Sequence, residues 1–344
     1  MRKLVTIRKI CNIRPIDGAD KIEVATVDNW DVVVKKGDHK IDELVVYFEI
    51  DSFLPVDNPN FEFLKKSCYR KLSDDTEGLR IRTIKLRGQL SQGLIMPLSI
   101  LNSNENPHSG IWEVGDDVTE YLKVIKFDPP LPAELNGEAV GNFPSFIPKS
   151  DEERIQNLTN NYDEYKKYKY FASEKADGTS STFFLNNDEF GVCSRNYQLV
   201  INYDNTFGRI IKNIDIERKL RELNRNLAIQ GEIVGEGIQG NKYKLRGQKL
   251  LVYNIFDIDK FEYLSKYDMV MLCDRLGFEM VPIIYNEFTL PESINDLLKI
   301  ATDISKINSN IDVTREGLVW VSLDSPKRIS FKTISNAFLI EYGE

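Results

Sequence analysis

The chain has 344 residues, of which 42% are hydrophobic, 28% charged and 10% aromatic. That length suits about two folded domains, and the composition excludes a disordered or fibrous chain. Lys and Arg number 45 against 53 Asp and Glu, a net charge of −8, which excludes a generally basic nucleic-acid coat protein; any nucleic acid must be held by a local patch. The only histidines are His39 and His108, both in polar surroundings. They leave no room for a Ser-His-Asp triad or a histidine zinc centre, so any chemistry rests on Lys, Arg, Asp and Glu. Cys11, Cys68, Cys193 and Cys273 lack CxxC spacing and read as small buried hydrophobes in a reducing compartment. No apolar run approaches a membrane span, and the charged N-terminus has no signal-peptide core. The expectation is a cytoplasmic or nuclear protein with no membrane partner and no indicated oligomer.

Residues 1–125 predict short strands at 4–10, 22–27, 31–34, 44–50, 80–86 and 93–97, separated by turns such as Asp17-Gly18 and Lys36-Gly37-Asp38. Helical periodicity is nearly absent, so this domain reads as a small closed or partly closed barrel. Its 18 basic and 20 acidic side chains give −2. Residues 65–87 within it hold eight Lys and Arg against three acids, a local +5 that ends in Lys85 and Arg87. That stretch is either a solvated hairpin or a phosphate-binding face. Residues 126–148 hold five of the thirteen prolines, Pro129, Pro130, Pro132, Pro144 and Pro148, and read as an extended connector.

The third segment, 149–344, mixes helices and strands. Ser150 with Glu153 forms a capping box that predicts a helix to about Lys167. Ile216, Leu220, Leu223 and Leu227 lie at helical spacing, and helices are expected over 265–276, capped by Gly277, and 292–306. Strands are expected at 171–174, 181–185, 228–234, 250–258, 317–323 and 328–331. The fold class is α+β, with a largely antiparallel sheet following the N-terminal barrel.

The chemistry centres on Glu174-Lys175-Ala176-Asp177-Gly178, where a lysine closes a strand and an Asp-Gly turn follows. Downstream, in order, come Ser194-Arg195-Asn196, Gln230-Gly231-Glu232, Asn254-Ile255-Phe256-Asp257, Arg315-Glu316-Gly317 and Ser330-Phe331-Lys332, each with a charged residue beside a strand-like run. A lysine that attacks phosphorus must first lose its proton, and nearby cations and partial desolvation assist that. Lys332 and Arg195 are candidates for the cationic surroundings. Asp177, Glu232 and Glu316 form a natural carboxylate set for a divalent metal held through water. Phe256 offers a ring for stacking on a base, or simply a core side chain.

Together these segments resemble motifs I, Ia, III, IIIa, IV and V of the covalent nucleotidyltransferases, which include ATP-dependent ligases and mRNA capping enzymes. The resemblance implies Lys175 as the nucleophile of a lysyl-AMP and Glu174 near the purine edge. It implies Arg195 and Glu232 on the ribose and metal side, and Phe256 as the stacking aromatic. Glu316 matches a metal carboxylate, Lys332 the lysine on the α-phosphate, and Asp257 is a further candidate for the metal shell. Many RNA ligases have Lys-x-Lys in motif V; here Ser330 takes the first position.

Only twelve residues follow Lys332, which leaves no room here for an OB domain after motif V. Gly18-Ala19-Asp20-Lys21-Ile22-Glu23, the 30–37 segment and the 44–55 segment instead resemble the N-terminal OB module of the Deinococcus-type, or fifth-family, RNA ligases. Residues 143–157 resemble the stretch that precedes motif I in that family, with Arg154 a candidate for the ATP γ-phosphate and Lys149 nearby. The implied function is an ATP- and Mg2+- or Mn2+-dependent RNA ligase that seals 3′-hydroxyl and 5′-phosphate ends. Its implied partner is RNA or a nicked RNA/DNA duplex gripped through Lys85 and Arg87. The alternatives are a capping-type guanylyltransferase and a non-catalytic RNA-binding protein.

Overall fold

The computed structural model describes residues 3–72, 75–102, 111–128 and 137–343. His108, Pro129, Pro130 and Pro132, singled out above, lie outside the described residues. The chain divides into one unit of Met1–Pro130 with Leu339–Glu344 and a second of Leu131–Phe338.

The first unit consists mainly of strands: β1 (Val5–Pro15), β2 (Ile22–Val27), β3 (Trp30–Lys35), β4 (Leu44–Phe48), β5 (Ser52–Pro55), β6 (Tyr69–Lys71), β7 (Glu77–Arg80), β8 (Thr83–Leu86), β9 (Gln89–Gln92), β10 (Leu94–Pro97) and β11 (Ile125–Lys126). They pair as β10-β4-β1-β2-β3, β11-β5-β7-β6 and the hairpin β8-β9. A register shift between Ile10 and Asn12 lets β1 pair with β4 through its first half and β2 through its second. Such bulges turn the corners of small barrels. Val5, Ile7, Val46, Phe48, Leu54, Phe61 and Leu79 form one buried cluster, and Ile10, Val27, Trp30, Val32, Tyr47 and Ile95 a second. The expected strand over 80–86 is broken, because Ile81 turns inward and donates its N–H to Ser52 O. Arg87 and Gly88 both take positive φ, 51° and 80°, in the two-residue turn between β8 and β9. That is the turn a right-twisted hairpin favours.

The second unit holds two antiparallel sheets. One contains β12 (Ala139–Asn142), β14 (Thr179–Asn186), β15 (Glu189–Cys193), β16 (Tyr197–Leu199), β17 (Leu227–Gly235), β18 (Gln248–Asp257) and β19 (Glu262–Tyr263), in the order β12-β16-β15-β14-β17-β18-β19. The other is β20-β13-β21-β22, from β13 (Lys169–Lys175), β20 (Ile283–Thr289), β21 (Gly317–Ser322) and β22 (Ser330–Ile334). Helices Thr206–Ile214, Ile216–Leu223 and Lys266–Leu276 cover the outer face of the first sheet through Phe207, Ile210, Leu220, Met269 and Leu272. Helix Ile294–Ile300 covers the outer face of the second, against Tyr170, Leu318, Trp320 and Phe331. Each sheet is therefore apolar behind and can carry polar groups in front.

Three expectations change here. Residues 139–148 are not a free connector: β12 pairs with β16, Ile147 is buried, and Gln230 Nε2 donates to Pro148 O at 2.8 Å. No helix starts at Ser150. Its hydroxyl lies 2.7 Å from the Tyr253 hydroxyl, Asp151 pairs with Arg195, and Glu153 accepts from Asn157, so the Ser150 cap is drawn off to a tertiary partner and Glu153 to a neighbouring turn. A 3-10 turn at Ile155–Asn161 and a short helix at Tyr162–Tyr165 replace the predicted helix. Cys193 and Cys273 are buried as expected, but Cys11 is exposed.

Candidate active site

Strand alternation splits β13 into two faces. Tyr170, Ala172 and Glu174 point to the apolar layer under helix Ile294–Ile300, whereas Phe171, Ser173 and Lys175 point the other way. Lys175 ends the strand opposite Gly317 of β21, and the preceding Glu316 meets its amine. Lys175 Nζ lies 2.7 and 2.8 Å from the two Glu316 oxygens. A side chain at Gly317 would put its Cβ 2.0 Å from Thr333 O, so this crossing of β21 and β22 requires glycine. Gly178 is equally confined: a Cβ would lie 2.3 Å from Ile233 O and 2.9 Å from Glu232 Cγ. The turn after Lys175 thus presses onto β17 beside Glu232, which binds the two motifs into one site.

The electrostatics follow from this crowding. Burial pushes the Lys175 amine down, but Glu316, Glu232 and Asp177 outweigh it and hold the amine above the ordinary lysine range. Burial pushes the Glu232 carboxyl up to about 8; Lys175 opposes this, while Glu316 and Asp177 reinforce it. Burial also raises Glu316, against the pull of Lys175. Lys332 is pushed down to about 8 by burial, with Lys175 and Arg154 adding to the effect and Asp151 opposing it. Three carboxyl groups therefore crowd the Lys175 amine, and burial loosens the hold of a second amine, that of Lys332, on its proton. Among the described residues no three acidic, His or Cys side chains converge closely enough to ligate one ion directly. The excess of hard oxygen donors fits a divalent cation held through its own waters.

The other expected residues divide. Asp177 pairs with Lys242, and its N–H donates to the Tyr243 hydroxyl at 2.8 Å. Arg195 Nη2 lies 3.0 Å from Asp151 Oδ2, and Lys332 Nζ lies 3.6 Å from Asp151 Oδ1, so one carboxylate spans both cations. Arg154 is buried and bridges in parallel to Lys332, whose N–H donates to Glu153 O. Lys149 Nζ donates to Asn196 Oδ1 at 3.1 Å.

Glu174 faces away from Lys175. Its carboxylate accepts from Ser305 Oγ and from the Lys306 N–H at 2.7 Å, so any contact with a nucleotide at this position comes from the main chain. Phe256 is 2% exposed, packed with Ile147, Phe184 and Ala228, and covered edge-on by Phe261 and Tyr263. It is a core ring rather than an open stacking platform. Asp257 pairs with Arg225 at 2.7 Å and accepts the Lys260 N–H at 3.1 Å. Burial opposes its ionisation, yet these partners hold its carboxyl below the usual range. It sits opposite Leu227, five residues along β17 from Glu232, or about 16 Å of strand. It therefore serves a structural ion pair rather than the carboxylate set. Lys85 is exposed and donates from Nζ to Ile340 O at 3.0 Å, and Arg87 lies at the exposed hairpin tip.

Sequence reasoning missed Asp151, Lys242, Tyr243 and Lys266. Lys266 Nζ donates to Tyr253 O and Asn254 Oδ1 at 2.8 and 3.0 Å, lies 5.5 Å from the Phe171 ring centroid, and is lowered by burial to about 7. Lys242 and Tyr243 had one available signal, the Gly- and Asn-rich run directly after Glu232.

A barrel followed by a two-sheet unit, with a strand-end lysine facing carboxylates, defines a protein of the nucleotidyltransferase class. The comparisons agree. An RNA ligase family model matches residues 168–334, and an OB-fold domain model matches residues 4–98. A Naegleria gruberi RNA ligase mutant solved with AMP and Mn is 42% identical, with a TM-score of 0.85 and 99% of each chain covered. The same ligase with PPi is 42% identical at a TM-score of 0.84 over 99% of each chain. A further mutant of it with ATP and Mn is 42% identical at a TM-score of 0.84, over 98% of this chain and 99% of that one. A search of curated proteins gave no match. This chain belongs to the RNA ligase family.

Proposed function

We propose that the chain is an ATP-dependent RNA ligase working through a lysyl-AMP on Lys175, and that its subfamily is the Deinococcus type, with an N-terminal OB unit. The observation that carries the reading is the Lys175 amine held between the two oxygens of Glu316, with Glu232 and Asp177 close by. The structures of the Naegleria ligase with ATP and Mn, AMP and Mn, and PPi support ATP as the substrate and a divalent ion, Mn2+ or its equivalent Mg2+, as the metal.

The residues imply a sequence of events. Lys175 must give up a proton, and Glu316, in contact with Nζ and raised by burial, is the nearest acceptor. The freed amine attacks the α-phosphorus of ATP, a P–N bond forms, and pyrophosphate leaves. Lys332, Arg195 and Arg154 stand where charge builds on the phosphate oxygens. Asp177, Glu232 and Glu316 would hold a divalent cation, which when bound would add charge neutralisation at the phosphate oxygens. AMP then passes to a 5′-phosphate, and a 3′-hydroxyl displaces it to form the phosphodiester. The nucleic acid is a nick or end with RNA on the 3′-hydroxyl side, and Lys85 and Arg87 of the first unit contact its backbone. Free thiols at all four cysteines suit a cytoplasmic or nuclear setting.

The test is transfer of label. The chain is incubated with α-labelled ATP or GTP and Mg2+ or Mn2+, denatured, and compared with Lys175→Ala. Label from ATP that is lost in the variant is the expected result. Label from GTP alone would make it a capping-type enzyme. No label under either metal, once intact mass has shown Lys175 unmodified, would overturn catalysis and leave an RNA-binding protein.

A further inference from the structure

We propose that the loop from Gln239 to Gln248 is the surface on which the second unit holds the phosphodiester backbone of the strand carrying the 5′-phosphate. This rests on the ligase reading above and names a nucleic-acid contact beside its nucleophile. Residues 237–249 contain Lys242, Lys244, Arg246 and Lys249 and no acid, in a chain of net charge −8.

The loop has an inner and an outer side. Inward, Tyr243 is 3% exposed, its hydroxyl accepts the Asp177 N–H at 2.8 Å, and its carbonyl accepts from Asn308 Nδ2 at 2.8 Å. Lys242 pairs with Asp177 and also donates to Gln239 O at 3.3 Å. Asn241 closes the loop on itself, giving Nδ2–H to Leu245 O at 2.9 Å and accepting the Leu245 N–H at 3.0 Å. Gln239, Gly240, Asn241, Lys244 and Gly247 all take left-handed φ, between 46° and 69°, so the chain folds back tightly over the motif I turn.

Outward, Lys244 and Arg246 are exposed, and among the described residues neither pairs with a carboxylate. Lys212, Arg275, Lys306 and Lys327 of this unit are exposed without a carboxylate as well, so what sets Lys244 and Arg246 apart is their place on the loop whose inner side holds the motif I turn. Lys244 lies two positions and Arg246 four positions beyond Lys242, spanning at most about 7 and 14 Å of chain. A strand that brings its 5′-phosphate to Lys175 therefore passes its next few phosphates within reach of both cations. Lysine and arginine held on an anchored loop neutralise phosphates without reading bases.

The test uses the full chain, the double variant Lys244→Ala/Arg246→Ala and its charge reversal Lys244→Glu/Arg246→Glu. The probe is a nicked duplex with RNA on the 3′-hydroxyl side and a 5′-phosphate. Lysyl-AMP formation, which needs no nucleic acid, should stay within about twofold of wild type and shows that the variants fold. Affinity for the nick should fall roughly tenfold for the alanine pair and further for the reversal, with a salt slope flatter by about 1.8, two phosphate contacts' worth. Wild-type affinity and slope in the charge reversal would overturn the proposal. A wild-type chain that forms no lysyl-AMP would instead overturn the ligase reading, while direct binding of the nick would still decide the loop.

Discussion

Glu232 is a carboxylate kept against its own solvation. Burial raises its carboxyl to about 8 from an ordinary 4.5. Between those values the folded chain holds a proton that the unfolded chain has released. Folding stability from this group is thus present at low pH and is lost as pH rises from about 4.5 through about 8. Glu232→Gln keeps the shape and removes the titration. Its thermal midpoint should gain on wild type across that window, while lysyl-AMP formation drops roughly 10²-fold or more. A midpoint difference that stays flat from pH 5 to 8 would show Glu232 titrating as it does in the unfolded chain. Lys175 departs from the sequence expectation in a related way. Burial does push the amine down, but Glu316, Glu232 and Asp177 outweigh it, so the resting amine is a held ammonium and needs a proton acceptor.

At the scale of elements, the site depends on strands pressed closer than side chains allow. Gly178→Ala must push the start of β14 from β17, because its Cβ would meet the Ile233 carbonyl at 2.3 Å. Overpacking of this kind costs about 1–3 kcal/mol. It should appear as a lower denaturant midpoint together with slower adenylylation, since Glu232 moves with β17. Gly237→Ala is the control: nothing lies within 4 Å of its Cβ, and only its φ of 78° is strained. Equal losses in both variants would show that the contact of Gly178 with β17 adds nothing beyond the cost of a substitution without that contact.

At the scale of the molecule, an acidic chain must bind a polyanion through local patches. Besides the loop over the nucleophile, the first unit offers the hairpin with Lys85 and Arg87. Neutralising both should weaken sealing and flatten its salt dependence while leaving lysyl-AMP formation intact. Lys85 already donates to Ile340 O, whereas Arg87 stands at an exposed turn, so Arg87→Ala alone should account for most of the change. Sealing measured against salt concentration checks this; an unchanged slope would remove the hairpin as a grip.

Strand placement was largely legible because alternation and turn residues are local properties. The segments expected at 22–27, 181–185 and 228–234 fall within strands of the structure, that at 250–258 overruns its strand by one residue, and Gly277 caps its helix in the left-handed region. The order of the charged motifs was legible for the same reason, since each sits beside such a strand. Partnership was not. Ser150 and Glu153 spell a helix start, yet Tyr253, over a hundred residues away, claims the Ser150 hydroxyl, and Glu153 turns to Asn157 instead of capping. Glu174, Phe256 and Asp257 lie within motifs but point to other faces or other partners, because a one-residue step along a strand reverses the side chain and five residues carry it about 16 Å away. Lys242 and Tyr243 belong to no motif and reach Asp177 across 65 and 66 residues of chain. Local sequence patterns located most strands and the chemical inventory. Only the packing of two sheets decided which charges share one low-dielectric space, and that sharing sets their proton affinities.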